Sequence, residues 1–167
     1  MATPEFIVRL REKIGHDLLW LVGVTAYVED ADGRVLLGRR ADTGEWALVY
    51  GINEPGEEPA VTVVREVREE TGVDVEPWAL VRVKASRHLT VYANGDQTQY
   101  LDLMFSCRLA EGGCAKPRVA DDESLEVGWF APDALPEPLA ASTRERFEAL
   151  AAWREAGSSA ALFSLDA

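Results

Sequence analysis

Apolar positions along the chain recur in two rhythms, one near helical spacing and one near strand alternation. Phe6, Ile7, Leu10 and Ile14 follow Thr3-Pro4 and precede Gly15. This predicts a short helix over 3–15, with Thr3 as N-cap, Pro4 as first helical residue and Gly15 as stop. The apolar run from Trp20 to Val28, the dipeptide Asp32-Gly33 and the run Val35 to Leu37 read as a hairpin. Trp46 to Val49 is a short strand ending at Gly51. From Pro59 the rhythm turns helical. Ala60, Val63, Val64 and Val67 fall within about 100° on a helical wheel, and Gly72 is placed to end the helix after Thr71. Trp78–Ala85, Leu89–Tyr92, Gln99–Leu109 and Leu125–Phe130 are strand-like, with a turn at Asn94-Gly95. Ser142-Thr143-Arg144-Glu145 has the form of a capping box opening a helix over about 142–156, closed by Gly157 and followed by a frayed tail. The order predicts an α/β fold, a mixed β-sheet between helices, in one domain over 1–167.

Composition narrows the function. A chain of 167 residues, 47% hydrophobic and 28% charged, makes a globular domain of ordinary size. Lys and Arg total 17 against 29 Asp and Glu, a net charge of −12. That excess disfavours a nucleic-acid polymer or an anionic lipid surface as partner, but not a small anion held through metal. No apolar run approaches the ~20 residues of a membrane span, and the first residues lack a signal-peptide core. With only Cys107 and Cys114, no disulfide framework is expected, so the cytoplasm is the expected location.

The chemistry concentrates between Gly51 and Val73. Glu66, Glu69 and Glu70 stand at i, i+3 and i+4, neighbours on one helix and beside the valine stripe. Oxygen-only ligands suit a hard cation, Mg²⁺ or Mn²⁺, rather than structural zinc. Gly51, where strand meets loop, lets a backbone carbonyl approach that metal. Arg65 can orient a carboxylate by a forked hydrogen bond, and Glu57 is its candidate partner or an outer ligand. A solvated acidic face explains Glu69-Glu70 alone, but not the whole segment. Its fixed positions arise by chance in about one in 10⁷ sequences of this size on average residue usage.

This segment resembles the Nudix box, G-x5-E-x7-R-E-U-x-E-E-x-G-U with U aliphatic, at Gly51, Glu57, Arg65, Glu66, Val67, Glu69, Glu70, Gly72 and Val73. The resemblance implies an α/β/α sandwich that uses divalent metal to hydrolyse a nucleoside diphosphate linked to another moiety. The box glutamates would be metal ligands, and water would attack phosphorus. The resemblance implies a general base that is one of the box glutamates or, since members differ, a glutamate from a loop before a late strand. In Asp121–Glu126 that favours Glu123 over Glu126. Many members also carry a glycine just before the box glycine, and Tyr50 stands there instead.

Outside the box, the Arg39-Arg40 pair resembles that of small, nucleoside-triphosphate-directed members, so the resemblance leans to a nucleoside triphosphate pyrophosphohydrolase. An ADP-ribose or nucleotide-sugar pyrophosphatase is the alternative within the enzyme class, and a non-catalytic nucleotide sensor the alternative outside it. Arg39, Arg40 and Lys84 are candidate phosphate contacts. Tyr50, Trp20 and Tyr100 are candidate stacking residues, and Gln99 could read a base edge. The expected partner is a small nucleotide. The N-terminal helix and Trp20 offer a surface for a homodimer, since many family members self-associate.

Overall fold

The computed structural model describes residues 3–165, among which three helices and eight strands of one mixed sheet are found. A parallel pair forms the centre of the sheet. Strand β1 (Leu19–Glu29) runs beside β7 (Gln97–Leu109), in register from Leu19↔Thr98 to Glu29↔Arg108. Strand β5 (Val75–Ala85) lies antiparallel on the far side of β7, and β6 (Thr90–Val91) is a short return onto β7. The other edge of β1 is taken by β4 (Val49–Ile52). Strand β2 (Val35–Arg40) carries β3 (Trp46–Ala47) on one side and β8 (Ser124–Phe130) on the other.

The expected hairpin forms at its turn and then opens. Asp30 N donates to Arg34 O at 2.9 Å, but β1 and β2 pair only at Glu29↔Val35. Val35, Leu36 and Leu37 are all fully buried, so β2 is covered on both faces. Such a strand sits inside a sandwich and cannot lie as one arm of a half-exposed ribbon.

Alternation along β1 and β7 sorts their side chains into two cores. Val24, Ala26 and Val28, with Leu103, Phe105 and Cys107, pack under helix α2 (Pro59–Thr71) through Val63 and Val67. Tyr27, Val81 and Met104 pack on the opposite face under helix α3 (Ala141–Glu155) through Leu150 and Trp153. Helix α1 (Glu5–Ile14) is fastened to the start of β7 by Arg11, whose Nη2 donates to Gln97 O at 2.8 Å.

The expected Trp46–Val49 strand breaks at Leu48 into β3 and β4. Gly51 lies inside β4, where it pairs with Val24, and does not end it. The boundaries of α2, by contrast, fall where the sequence puts them. Pro59 opens α2, and Gly72 closes it at φ 67° with its N–H on Arg68 O. Boundaries resting on side-chain caps do not. Pro4 itself occupies the cap of α1 and the helix starts at Glu5, so Thr3 does not cap it. Ala140 caps α3, and the Ser142–Glu145 capping box does not form, because Glu145 reaches Arg82 and Lys84 instead. The stripe on α2 is also turned from its expected centre, with Ala60 exposed and Glu66 buried. Nor is the segment after Gly157 frayed at Leu162. Leu162 N donates to Val81 O at 2.8 Å, and Leu162 O accepts from Val83 N at 3.0 Å.

Candidate active site

Glycine at position 51 is required by its neighbour. A Cβ built on Gly51 would lie 2.1 Å from Glu66 Cδ and 2.2 Å from its Oε1, closer than any real contact. The Glu66 carboxylate thus occupies the space a side chain would take, and the residue is 3% exposed. Burial dominates its acidity. It pushes the Glu66 carboxyl up to about 7, against the opposing pull of Arg65.

Arg65 organises the acids around it. Its Nε and Nη2 donate to Glu57 Oε1 and Oε2 at 2.9 and 3.0 Å, a forked pair. Its Nη1 donates to Glu66 Oε1 at 2.9 Å and Glu69 Oε2 at 3.1 Å. Glu57 is therefore held well below the usual carboxylate range, first by Arg65 and also by the Thr62 hydroxyl at 2.8 Å. The fork that could have gone to Glu69 goes to Glu57. Glu69 receives a single bond and its side chain remains 57% exposed. Glu70 lies one turn beyond Glu66, where burial pushes its carboxyl up to about 8. The negative charges of Glu66 and Asp121 add to that rise, and Arg40 opposes it.

Among the described residues, no three His, Cys, Asp or Glu side chains converge closely enough to enclose a metal ion as they stand. Arg65 bridges Glu66 and Glu69. The donor chemistry nonetheless fits a hard divalent cation. Two carboxylates, Glu66 and Glu70, are pushed toward neutrality by burial, and the cradle at Gly51 brings one of them onto bare backbone.

A cleft of about 1730 Å³ opens on the α3 face of the sheet and reaches these acids at Tyr50 and Gly51. Arg40, Lys84 and Glu123 line it as well. Arg40 is anchored by Asp42, with Nε and Nη2 donating at 2.8 and 2.6 Å, and its guanidinium lies 4.8 Å from the Tyr50 ring centre. The Glu123 loop is tied to the end of β2, Ala41 N donating to Glu123 O at 2.7 Å. Lys84 is bonded to Glu145.

Two expected substrate contacts lie elsewhere. Arg39 turns away to Glu126 Oε1 at 2.7 Å and to Gly44 O. Gln99 alternates with Thr98 and Tyr100, which line the cleft, so it faces the opposite side of β7 together with Trp20, its register partner. Sequence reasoning passed over Asp102, Arg82 and Arg146, which the fold gathers in the cleft, and Asp121, whose charge reaches Glu70. One signal was readable. Asp102 is a charged residue on the same alternating face as Met104, inside the otherwise apolar run from Tyr100 to Phe105.

A helix that buries carboxylates against a glycine strand, above a cleft lined with arginine and aromatic side chains, defines a Nudix-type hydrolase. The chain belongs to the NUDIX family, for the family model described as NUDIX domain matches residues 19–150. A MutT-like protein of Streptomyces ambofaciens is 37% identical over 119 residues, 71% of this chain and 69% of the relative. The 8-oxo-dGDP phosphatase NUDT18 of Mus musculus is 31% identical over 142 residues, 84% of this chain, which spans 39% of that relative's length. The crystal structure of a MutT NUDIX hydrolase from Burkholderia pseudomallei matches with TM-score 0.65 at 32% identity, covering 79% of this chain and 98% of that one.

Proposed function

We propose that the chain is a divalent-metal-dependent pyrophosphohydrolase acting on nucleoside triphosphates, with Mg²⁺ as the ion and Mn²⁺ as a substitute. The observation that carries this reading is the Glu66 carboxylate seated against Gly51 and held by Arg65. Glu66, Glu69, Glu70 and the Gly51 carbonyl are the groups that would hold the metal. When bound, the ion supplies positive charge to the phosphoryl oxygens and lowers the pKa of a coordinated water. Arg65, fixed on Glu57, keeps the Glu66 and Glu69 carboxylates in place. Glu123 is assigned the proton of the attacking water, from the cleft rim beside the end of β2. Arg40 and Lys84 meet the phosphates, and Tyr50 packs beneath Arg40 at the entrance. In a protein of net charge −12, such local cations are what draw a polyanion to the cleft.

A second reading, hydrolysis of nucleoside diphosphates, is favoured by the activity named for the mouse relative. One assay separates the two. Phosphate and pyrophosphate release is measured on nucleoside di- and triphosphates, ADP-ribose and nucleotide sugars, with Mg²⁺ or with EDTA. The expected result is Mg²⁺-dependent release of pyrophosphate from triphosphates. Turnover that persists in EDTA would overturn the metal assignment. Glu70→Gln and Glu69→Gln should each cut turnover by ~10²-fold or more with the fold intact. Activity within threefold of wild type would remove either residue from the metal site.

A further inference from the structure

The floor of the cleft, on the α3 face of the sheet, holds a second charged group, of which only its outer member Lys84 has been given a part in hydrolysis. Asp102 is its centre. Thr25 Oγ1 donates to Asp102 Oδ1 at 2.8 Å, Arg146 Nε and Nη2 lie 3.3 Å from Oδ2, and Arg82 Nη2 lies 3.5 Å from it. The three charged side chains are largely buried, at 16%, 14% and 11% exposed for Asp102, Arg146 and Arg82. Yet they are incompletely satisfied. Guanidinium contacts to carboxylate are usually ~2.7–2.9 Å. Every arginine contact to Asp102 is longer, while Arg82 Nη1 reaches Glu145 Oε1 at 2.9 Å. Arg82 Nε is buried and has no hydrogen-bond partner among the described residues. Lys84 and Glu145 extend the group, giving three cations against two carboxylates inside a strongly acidic protein. Buried charge of this kind costs stability in itself, so a role in recognition accounts for it.

The wall sets guanidinium donors, from Arg82 and Arg146 on Asp102 Oδ2, beside a carboxylate acceptor, whose Oδ1 takes one bond from Thr25. Its complement is a planar edge with a carbonyl acceptor beside a ring N–H donor. We propose that these three residues bind the base of the nucleotide. They select bases with a lactam edge, a ring N–H beside an exocyclic carbonyl, as in guanine and uracil. Adenine and cytosine place an amino donor toward a guanidinium and a bare ring nitrogen toward Asp102, leaving groups on both sides unpaired. The rest of the cleft fits this orientation. Tyr50 lies between Arg40, 4.8 Å from its ring centre, and Arg146, 5.8 Å from it, so it joins the phosphate end to the base end. Gly23 leaves a flat floor beside Tyr100, whose Cδ1 would be 3.5 Å from an added Cβ.

The inference rests on the cleft being a nucleotide site, and its test separates it from the hydrolysis reading. Binding of GMP, UMP, AMP and CMP to the intact protein is measured by calorimetry in EDTA, where no turnover is needed. GMP and UMP should bind at least about tenfold tighter than AMP and CMP. Asp102→Asn keeps the shape and an acceptor for Thr25 while replacing the carboxylate, and should bring the four affinities together. Arg146→Lys keeps the charge but loses the fork, and should shrink the same ratio. A purely structural role would shift the melting temperature and leave the ratio alone. Equal affinities in the wild-type protein, tighter binding of AMP and CMP, or no binding of any of the four would overturn the proposal. Each of those results leaves metal-dependent triphosphate turnover standing. A lactam preference without turnover would uphold the base wall and sink the hydrolysis reading.

Discussion

Position 51 shows how one absent methyl group governs chemistry several residues away in space. Gly51→Ala would set a Cβ into the Glu66 carboxyl, 2.1 Å from its Cδ. Overpacking of this sort costs about 1–3 kcal/mol. It should also drive the carboxylate from the strand, so turnover should fall more than tenfold alongside a lower urea midpoint. A Gly51→Ala protein with unchanged midpoint and unchanged turnover would show that the cradle does not matter. The acids of α2 were legible because their spacing fixes them on one helix and the glycine betrays the contact. Asp102 and Arg82 were not legible as a pair. Asp102 resembles an outward-facing polar residue on a strand, and only the closed sandwich turns that face into a cleft. Arg82 follows a register shift between Leu80 and Arg82 that breaks the period-two rule, so both Val81 and Arg82 serve the α3 side. Gln99 and Tyr100 differ for the simple reason of alternation, which places one in the cleft and its neighbour behind it.

Elements were legible in proportion to how local their signals are. Pro59 and Gly72 act through backbone geometry and marked α2 correctly, whereas Glu145 was claimed by Arg82 and Lys84 on another strand. The acids of α2 also give that helix a pH signature. In the metal-free protein, the carboxyls of Glu66 and Glu70 are raised to about 7 and about 8 from a usual 4.5. The folded state then holds more protons than the unfolded one between roughly 4.5 and 8, so stability falls as pH rises through that window. Glu57, Asp42 and Glu145 are lowered by Arg65, Arg40 and Lys84, and their contribution is lost as pH falls below the usual carboxylate range. Melting in EDTA should therefore show a maximum near pH 5 and a lower midpoint at pH 8.5. Mg²⁺ should raise the midpoint more at pH 8.5 than at pH 5.5, since the ion competes with protons for the same oxygens. A shift of equal size at both values would separate the ion from these two carboxylates.

At the scale of the whole molecule, the chain after α3 is part of the sandwich. Trp153 Nε1 donates to Ala160 O at 3.0 Å, and Leu162 pairs along β5 between Val81 and Val83. Leu162, Phe163 and Ser164 also line the cleft. Ending the chain after Ser159 should lower the melting temperature, by about 2–4 °C for each kcal/mol lost. It should also raise KM more than it lowers kcat, because the truncated segment borders the cleft and lies outside the acids of α2. Equal values for the two proteins would reduce the segment to decoration.

The parallel pairing at the centre of the sheet has a further consequence, in time. Every β1 residue meets a β7 partner 79 positions later in the chain, and no short hairpin route brings them together. At about 5–20 residues per second of synthesis, β1 waits several seconds on the ribosome for its neighbour. Its buried apolar row, from Val24 to Val28, must stay out of trouble throughout that wait. Distant pairing of this kind slows folding and lengthens the time an unpaired strand is open to aggregation, and in this chain β1 is that strand.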